Sequence, residues 1–309
     1  MPSGIENVFL IVTMGEFIVG QVGNAFIVLV NCIDWGKGRK LSTVDYLLTS
    51  LAISRINLLW ILLLESFVLV LWPHLYTSDK VTALFSISWA LNNHFSVWIA
   101  TCLSVFYFLR IANLSHPSFH WLRQRISRVL LMLLLGSSLL LSFNFALSDT
   151  FTAFWTNWHR THQENSSWPS DMTITLYVNS LVAFNFIYLI PLLLSLGSLV
   201  LLFVSLKRHT RNLHLSASCS DASTEAHKKA MHMVMSFLLL FLVHLTTTIL
   251  VGWAFFIPYK YEAHLAFSLI MTLFPSGHSL ILIMGHSKLR QTTLWLLGHL
   301  ECSLRKKTG

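Results

Sequence analysis

Charge is what this chain has least of: 11% of its 309 residues are acidic or basic, against 54% hydrophobic, and the mean hydropathy is +0.64. That balance excludes an ordinary water-soluble domain, in which about a quarter of residues are charged. Cysteine is scarce too, with only Cys32, Cys102, Cys219 and Cys302. All four fall in the membrane or on its cytosolic side in the topology derived below, so no disulfide can tie the outer loops together. No glycine-rich phosphate loop, HExxH or GxSxG occurs, which removes the usual signals of nucleotide binding, zinc peptidase and serine hydrolase chemistry. Ser276 and His278 sit too close on one helix to form a nucleophile–base–acid array by themselves. His159 and His162 lack a third metal ligand, so no metal and no cofactor is expected. The net charge of +8 does not make a nucleic-acid binder, because the basic residues lie in short gaps between apolar runs.

What is present is a series of long apolar runs. Charge-free or nearly charge-free stretches extend from Glu6 to Asp34, Asp45 to Asp79, Lys80 to Arg110, Arg128 to Asp149, Asp171 to Lys207, Lys229 to Lys260 and Glu262 to Lys288. Each exceeds the roughly 20 residues that a spanning helix needs. The spacing therefore predicts an all-α membrane protein, a seven-helix bundle over 1–287 followed by an amphipathic cytoplasmic tail over 288–309. Only Glu16, Arg55 and Glu65 interrupt the runs. A charge at mid-bilayer costs about 2.5–3.5 kcal/mol even on the lenient insertion scale, so these three should face protein.

Seventeen of the 21 basic residues fall on one side of this plan, including Lys37, Arg110, Arg123, Arg125, Lys207, Arg208, Lys228, Lys229 and Lys288. The positive-inside rule places that side, and the C-terminus, in the cytosol and the N-terminus outside. The first helix reads as a retained signal-anchor, since no basic region or small-residue cleavage site precedes it. Asn165-Ser166-Ser167 lies on the predicted outer loop and is the expected glycosylation acceptor, whereas Asn113-Leu114-Ser115 lies inside and should stay bare. Two loops are long, roughly Asp149 to Asp171 outside and Lys207 to Lys229 inside. Pro191 and Pro275 fall within apolar runs and should kink the fifth and seventh helices. Leu289, Leu296, Leu297, Leu300 and Leu304 recur at helical spacing beside basic residues, as in a helix lying on the inner leaflet.

Several motifs point further. Asn31-Cys32-Ile33-Asp34-Trp35, Leu51-Ala52-Ile53-Ser54-Arg55 and Phe106-Tyr107-Phe108-Leu109-Arg110-Ile111-Ala112-Asn113 lie in or after the first three helices. Ser223-Thr224-Glu225-Ala226-His227 opens the sixth, Phe274-Pro275-Ser276-Gly277-His278-Ser279 sits in the seventh, and Lys288-Leu289-Arg290-Gln291 follows it. Together they closely resemble the bitter taste receptors (taste receptor type 2), over nearly the whole chain. The resemblance implies a G-protein-coupled receptor that binds bitter small-molecule agonists from outside and activates a gustducin-type heterotrimeric G protein inside, without catalysis. The absence of DRY, CWxP and NPxxY agrees with that family and not with rhodopsin-like receptors. A seven-helix transporter or channel is the alternative, since Glu16, Arg55, Glu65 and His244 would mark an ion path. No internal repeat of the transporter kind accompanies them. An intramembrane hydrolase is a more distant third.

Arg55 lies near the bilayer centre by a rise of about 1.5 Å per residue, so it should turn inward and bond to Asn24, to His278, or to backbone freed near Pro275. Trp89, Asn92 and Asn93 share one face of the third helix two to three turns below its outer end, where an aromatic wall beside amides suits a small-molecule pocket. Trp89 and Asn93 match positions that the resembled family uses for ligands, with His94 beside them. Glu65, Trp253 and Ser268 would complete the site from the second, sixth and seventh helices, Ser268 in place of a larger polar residue or carboxylate found in several relatives. Interhelical packing and amide hydrogen bonding alone is the plainer account of these residues. Arg110, Arg123, Arg125, Lys207, Arg208, Lys228 and Lys229 form the expected G-protein surface, although a topological signal explains the same charges.

Overall fold

The computed structural model describes residues 3–76, 78–112, 117–143, 171–215, 221–253 and 260–308. Ten helices occur among them: α1 (Gly4–Gly36), α2 (Thr43–Leu71), α3 (Pro73–Tyr76), α4 (Asp79–Ile111), α5 (Pro117–Gln124), α6 (Ile126–Phe143), α7 (Asp171–Leu215), α8 (Asp221–Trp253), α9 (Lys260–Gly285) and α10 (Ser287–Thr308). Seven of these, α1, α2, α4, α6, α7, α8 and α9, are long and apolar enough to cross a membrane. The described residues contain no strand.

Local signals set several ends. Ser3 with Glu6 and Ser42 with Asp45 form capping boxes at the starts of α1 and α2, satisfying backbone donors that the first turn leaves open. Gly38 adopts φ 72 just past α1, where a side chain would be strained.

The expected inner loop from Lys207 to Lys229 is much shorter: α7 continues to Leu215 and α8 already begins at Asp221. Charge ends a membrane span but not a helix, since a polar turn in water keeps its backbone bonds. Helices α7 and α9 likewise continue unbroken through the buried Pro191 and Pro275.

Six spanning helices close a ring in the order α1, α2, α4, α7, α8, α9 and back to α1. Helix α6 packs from outside against α4, where Ile126 and Val129 meet the cluster of Phe108, Ala112 and Phe119. Exposed apolar side chains such as Ile11, Leu139 and Met284 cover the perimeter, as a surface solvated by acyl chains requires. Inside the ring, Leu48, Leu51, Val97, Phe237, Phe241 and Phe274 form one core. Packing is tightest where α1 meets its neighbours. A Cβ on Gly20 would lie 2.5 Å from Ser276 Oγ and 2.6 Å from Leu59 Cδ1, so only glycine permits this approach of α1 to α9 and α2.

Candidate functional site

Polar side chains inside the bundle gather at three depths. At the middle, Arg55 is completely buried. Its Nε donates to Ser96 Oγ at 3.3 Å, and its Nη2 lies 2.5 Å from His278 Nδ1. Arginine has donors only, so the imidazole nitrogen must accept, leaving His278 neutral with its proton on Nε2. The guanidinium carbon also sits 5.4 Å from the centroid of Phe274, a cation–π contact strengthened by the dry surroundings. Among the described residues no carboxylate pairs with Arg55.

Asn24 does not bond Arg55. Its Nδ2 donates to the carbonyls of Gly20 at 2.8 Å and Pro275 at 3.4 Å. The amide thus joins α1 to the proline turn of α9 while the guanidinium spans α2, α4 and α9. His244, considered for an ion path, stacks on Phe274 at 4.8 Å within a cluster that includes Phe237, Phe241 and His278. Glu16 accepts from Thr272 between α1 and α9, and Glu65 accepts from the Tyr76 hydroxyl at 3.1 Å near the other end of α2. Glu16 and Glu65 therefore serve helix contacts of their own, while Arg55 and His244 share the Phe274 ring.

The upper site is built on α4. Asn93 is fully buried, and its Nδ2 donates to Tyr188 Oη of α7 at 3.0 Å. Its Oδ1 is buried with no partner. Trp89, one turn away, packs half-buried against the main core. Asn92 faces differently: its Nδ2 bonds the Ser88 carbonyl, and its own carbonyl accepts from Ser54 Oγ of α2 at 2.9 Å. His94 turns towards α6, where its ring bonds the Ser137 backbone, and lies 6.0 Å from the Trp98 ring. A 100° advance per residue separates these neighbours, so Asn93 and Trp89 point to the ring interior while His94 serves the α4–α6 seam. Ser268 of α9 is half-buried. Trp253 ends α8, and its side chain lies outside the description, as does all of Asn165, Asn113, His159 and His162.

The third cluster closes the opposite end. Lys288, at the start of α10, donates to Asn31 Oδ1 at 2.7 Å and pairs with Asp34 at 2.8 Å and Asp45 at 3.3 Å. Two sequence motifs far apart in the chain meet here, since Asn31 and Asp34 stand at i and i+3 on one face of α1. Burial, reinforced by the Lys288 ammonium and opposed by Asp45, holds the neighbouring His286 imidazole below its ordinary range. Sequence reasoning missed this clasp, and Ser96 and Tyr188 with it. Acidic residues at both ends of the connection between α1 and α2, Asp34 and Asp45, hinted at the need for a shared cation. A hydroxyl in an apolar run signals nothing until the register of the partner helix is known.

The basic residues divide into two groups. Arg110, Arg123 and Arg125, joined by Arg128, line an open cleft of about 970 Å³ at the ends of α2, α4 and α6. Lys207, Arg208 and Lys228 are exposed on α7 and α8 on another flank, and the Lys229 side chain is outside the description. Between the flanks, Tyr107, Met233, Phe237, His278 and Leu282 enclose a small void among α4, α8 and α9.

The family model described as Taste receptor protein (TAS2R) matches residues 1–301. Among the similar proteins, taste receptor type 2 member 7 of Macaca mulatta is 42% identical over 300 residues, covering 96% of this chain and 94% of the relative. Taste receptor type 2 member 42 of Pongo pygmaeus is 43% identical over 305 residues, covering 97% and 96%. The member 42 of Pan troglodytes matches at 43% over 306 residues.

Proposed function

The chain belongs to the taste receptor type 2 family, and from that premise we propose that it binds bitter small molecules from the extracellular side and activates a gustducin-type heterotrimeric G protein at the plasma membrane. It is a seven-helix, multi-pass membrane receptor and not an enzyme. The transporter or channel alternative is not favoured. One observation carries the site reading: Asn93 Oδ1 is a buried acceptor without a partner, beneath Trp89 and tied through its amide nitrogen to Tyr188. A buried acceptor left open costs about 1–3 kcal/mol, which an agonist donor would recover while its apolar body covers the indole. Glu65, Trp253 and Ser268 complete this pocket, with Asn92 and His94 supporting α4 from behind.

Agonist binding acts by population shift, and only its differential affinity for the active arrangement counts. The elements free to rearrange are the proline-bearing helices α7 and α9, with Pro191 and Pro275, and the Arg55–His278 bond and the Asn24 amide that hold α9 in place. On the inner face, Lys207, Arg208, Lys228 and Lys229 flank the central void and receive the G protein, with Arg110, Arg123 and Arg125 on the opposite rim. The amphipathic α10 rests on the inner leaflet, and Asn165 is glycosylated outside.

The test is a panel of bitter compounds on cells expressing the chain with and without a promiscuous G protein. Calcium release that requires both agonist and G protein is expected. Agonist-induced ion flux without the G protein overturns the reading.

A further inference from the structure

We propose that the cleft between the inner ends of α2, α4 and α6 binds the polyphosphorylated headgroup of an inner-leaflet lipid; this rests on the reading above only in taking that end of the bundle as cytosolic. Four arginines from separate segments converge there: Arg110 from the last turn of α4, Arg123 from α5, Arg125 from the bend after it, and Arg128 from the first turn of α6. Arg125 is braced by the Trp121 ring, 4.8 Å from its guanidinium carbon. Among the described residues none of the four has an ion-pair partner, and no carboxylate lines the cleft. The acids nearest this face are already used, Asp34 and Asp45 by Lys288 and Asp34 also by Arg39. Four like charges held together without a counter-ion repel one another, so the arrangement favours an occupant with several negative charges.

Guanidinium chemistry narrows the class. Each fork matches two oxygens of a phosphate monoester in a bidentate pair, and the planar group is weakly hydrated. A lipid with a single phosphodiester neutralises only one such fork. The volume of about 970 Å³ accommodates a sugar-sized ring with several phosphates. The other wall is apolar, from Leu41, Val44, Phe106 and Ile126, which favours a headgroup attached to acyl chains over a free phosphate. Position agrees: the lining comes from α2, α4, α5 and α6 and their connections, and α6 is the helix packed outside the ring. The cleft thus opens at the bundle edge, beside the headgroup layer. The small void inside the ring is lined instead by α4, α8 and α9.

The experiment uses the full chain in phosphatidylcholine nanodiscs without a G protein. Retention of phosphatidylinositol 4,5-bisphosphate is compared by native mass spectrometry with that of phosphatidylserine supplied at equal total charge, and with soluble inositol 1,4,5-trisphosphate. At least about tenfold preference for the bisphosphate lipid over both is expected. Arg123→Gln/Arg128→Gln should remove most of that preference, whereas Lys306→Gln/Lys307→Gln on the tail should leave it. The wild-type comparison alone decides the question if the cleft variant fails to fold. Equal retention of the two lipids, tighter capture of the soluble trisphosphate, or an unchanged preference in the cleft variant overturns the proposal. Because no G protein is present in the lipid assay, its failure leaves the receptor reading standing, and that reading fails separately in the calcium assay.

Discussion

Replacing Arg55 with Met in a double-mutant cycle with His278→Ala isolates the contact at the middle of the bundle. Arg55 makes one bond to His278, one to Ser96 and a cation–π contact with Phe274, with no opposing carboxylate among the described residues. Hydrogen bonds to a charged group contribute about 1.5–3 kcal/mol in water-soluble proteins. Within membranes the average is nearer 0.6 kcal/mol, with a maximum about 1.7, because the unfolded reference state also finds partners. The bond to His278 is short, desolvated and charge-assisted, so a coupling energy near the upper figure, about 1–2 kcal/mol, is expected. The single substitutions should differ in a way that exposes the cost of the charge. Arg55→Met keeps the volume and removes a buried cation that lacks a counter-ion, which offsets part of the lost bonding. Arg55→Ala removes the same bonds and leaves a cavity, so it should be less stable than Arg55→Met by roughly 2 kcal/mol or more. The assay is unfolding of the purified full-length receptor by SDS titration in lipid–detergent micelles, followed by tryptophan fluorescence. Additivity of Arg55→Met and His278→Ala within about 0.3–0.5 kcal/mol would refute the bond as a stabilising contact. Equal stability of Arg55→Met and Arg55→Ala would refute the account of volume and charge.

Trp89→Ala and Asn93→Ala are each expected to reduce agonist potency at least ~10-fold, about 1.4 kcal/mol, with surface expression retained; potency within about threefold of the parent for every agonist found would place the site elsewhere. Gly20→Ala, whose added methyl meets Ser276 and Leu59 at once, should destabilise by about 1–3 kcal/mol, whereas Gly15→Ala, with open space at its Cβ, should not; equal SDS midpoints would show that α1 has room to move. Neutralising Lys228 and Lys229 should weaken coupling at unchanged surface expression, and unchanged coupling would assign these charges to topology alone. Lys288→Met leaves the Asp34 and Asp45 carboxylates facing one another without their shared cation, so it should destabilise the receptor, with partial recovery in Lys288→Met/Asp34→Asn; no recovery would mean that the clasp is not electrostatic.

Seven spanning helices were legible in the chain because the bilayer imposes a length and a charge rule that each segment satisfies alone. Family membership was legible for a related reason, since motifs such as Asn31 to Trp35 and Phe274 to Ser279 are contiguous. The inward turn of Arg55 also followed from depth alone, as an unpaired mid-bilayer charge has nowhere else to go. Which partner it meets did not follow. His278 and Asn24 lie at similar depth, and only the rotation of α1, α2 and α9 about their axes gives the guanidinium to one and the Pro275 carbonyl to the other. The same rotation separated His94 from Asn93, adjacent in sequence yet directed to α6 and α7. It also gathered the arginines of α4, α5 and α6 around one cleft apart from the lysines of α7 and α8. Depth is a property of one helix in a bilayer, readable from its own residues, whereas azimuth is fixed by side chains on neighbouring helices interlocking. The tertiary structure therefore decided every contact between helices, and with them the shape of each site.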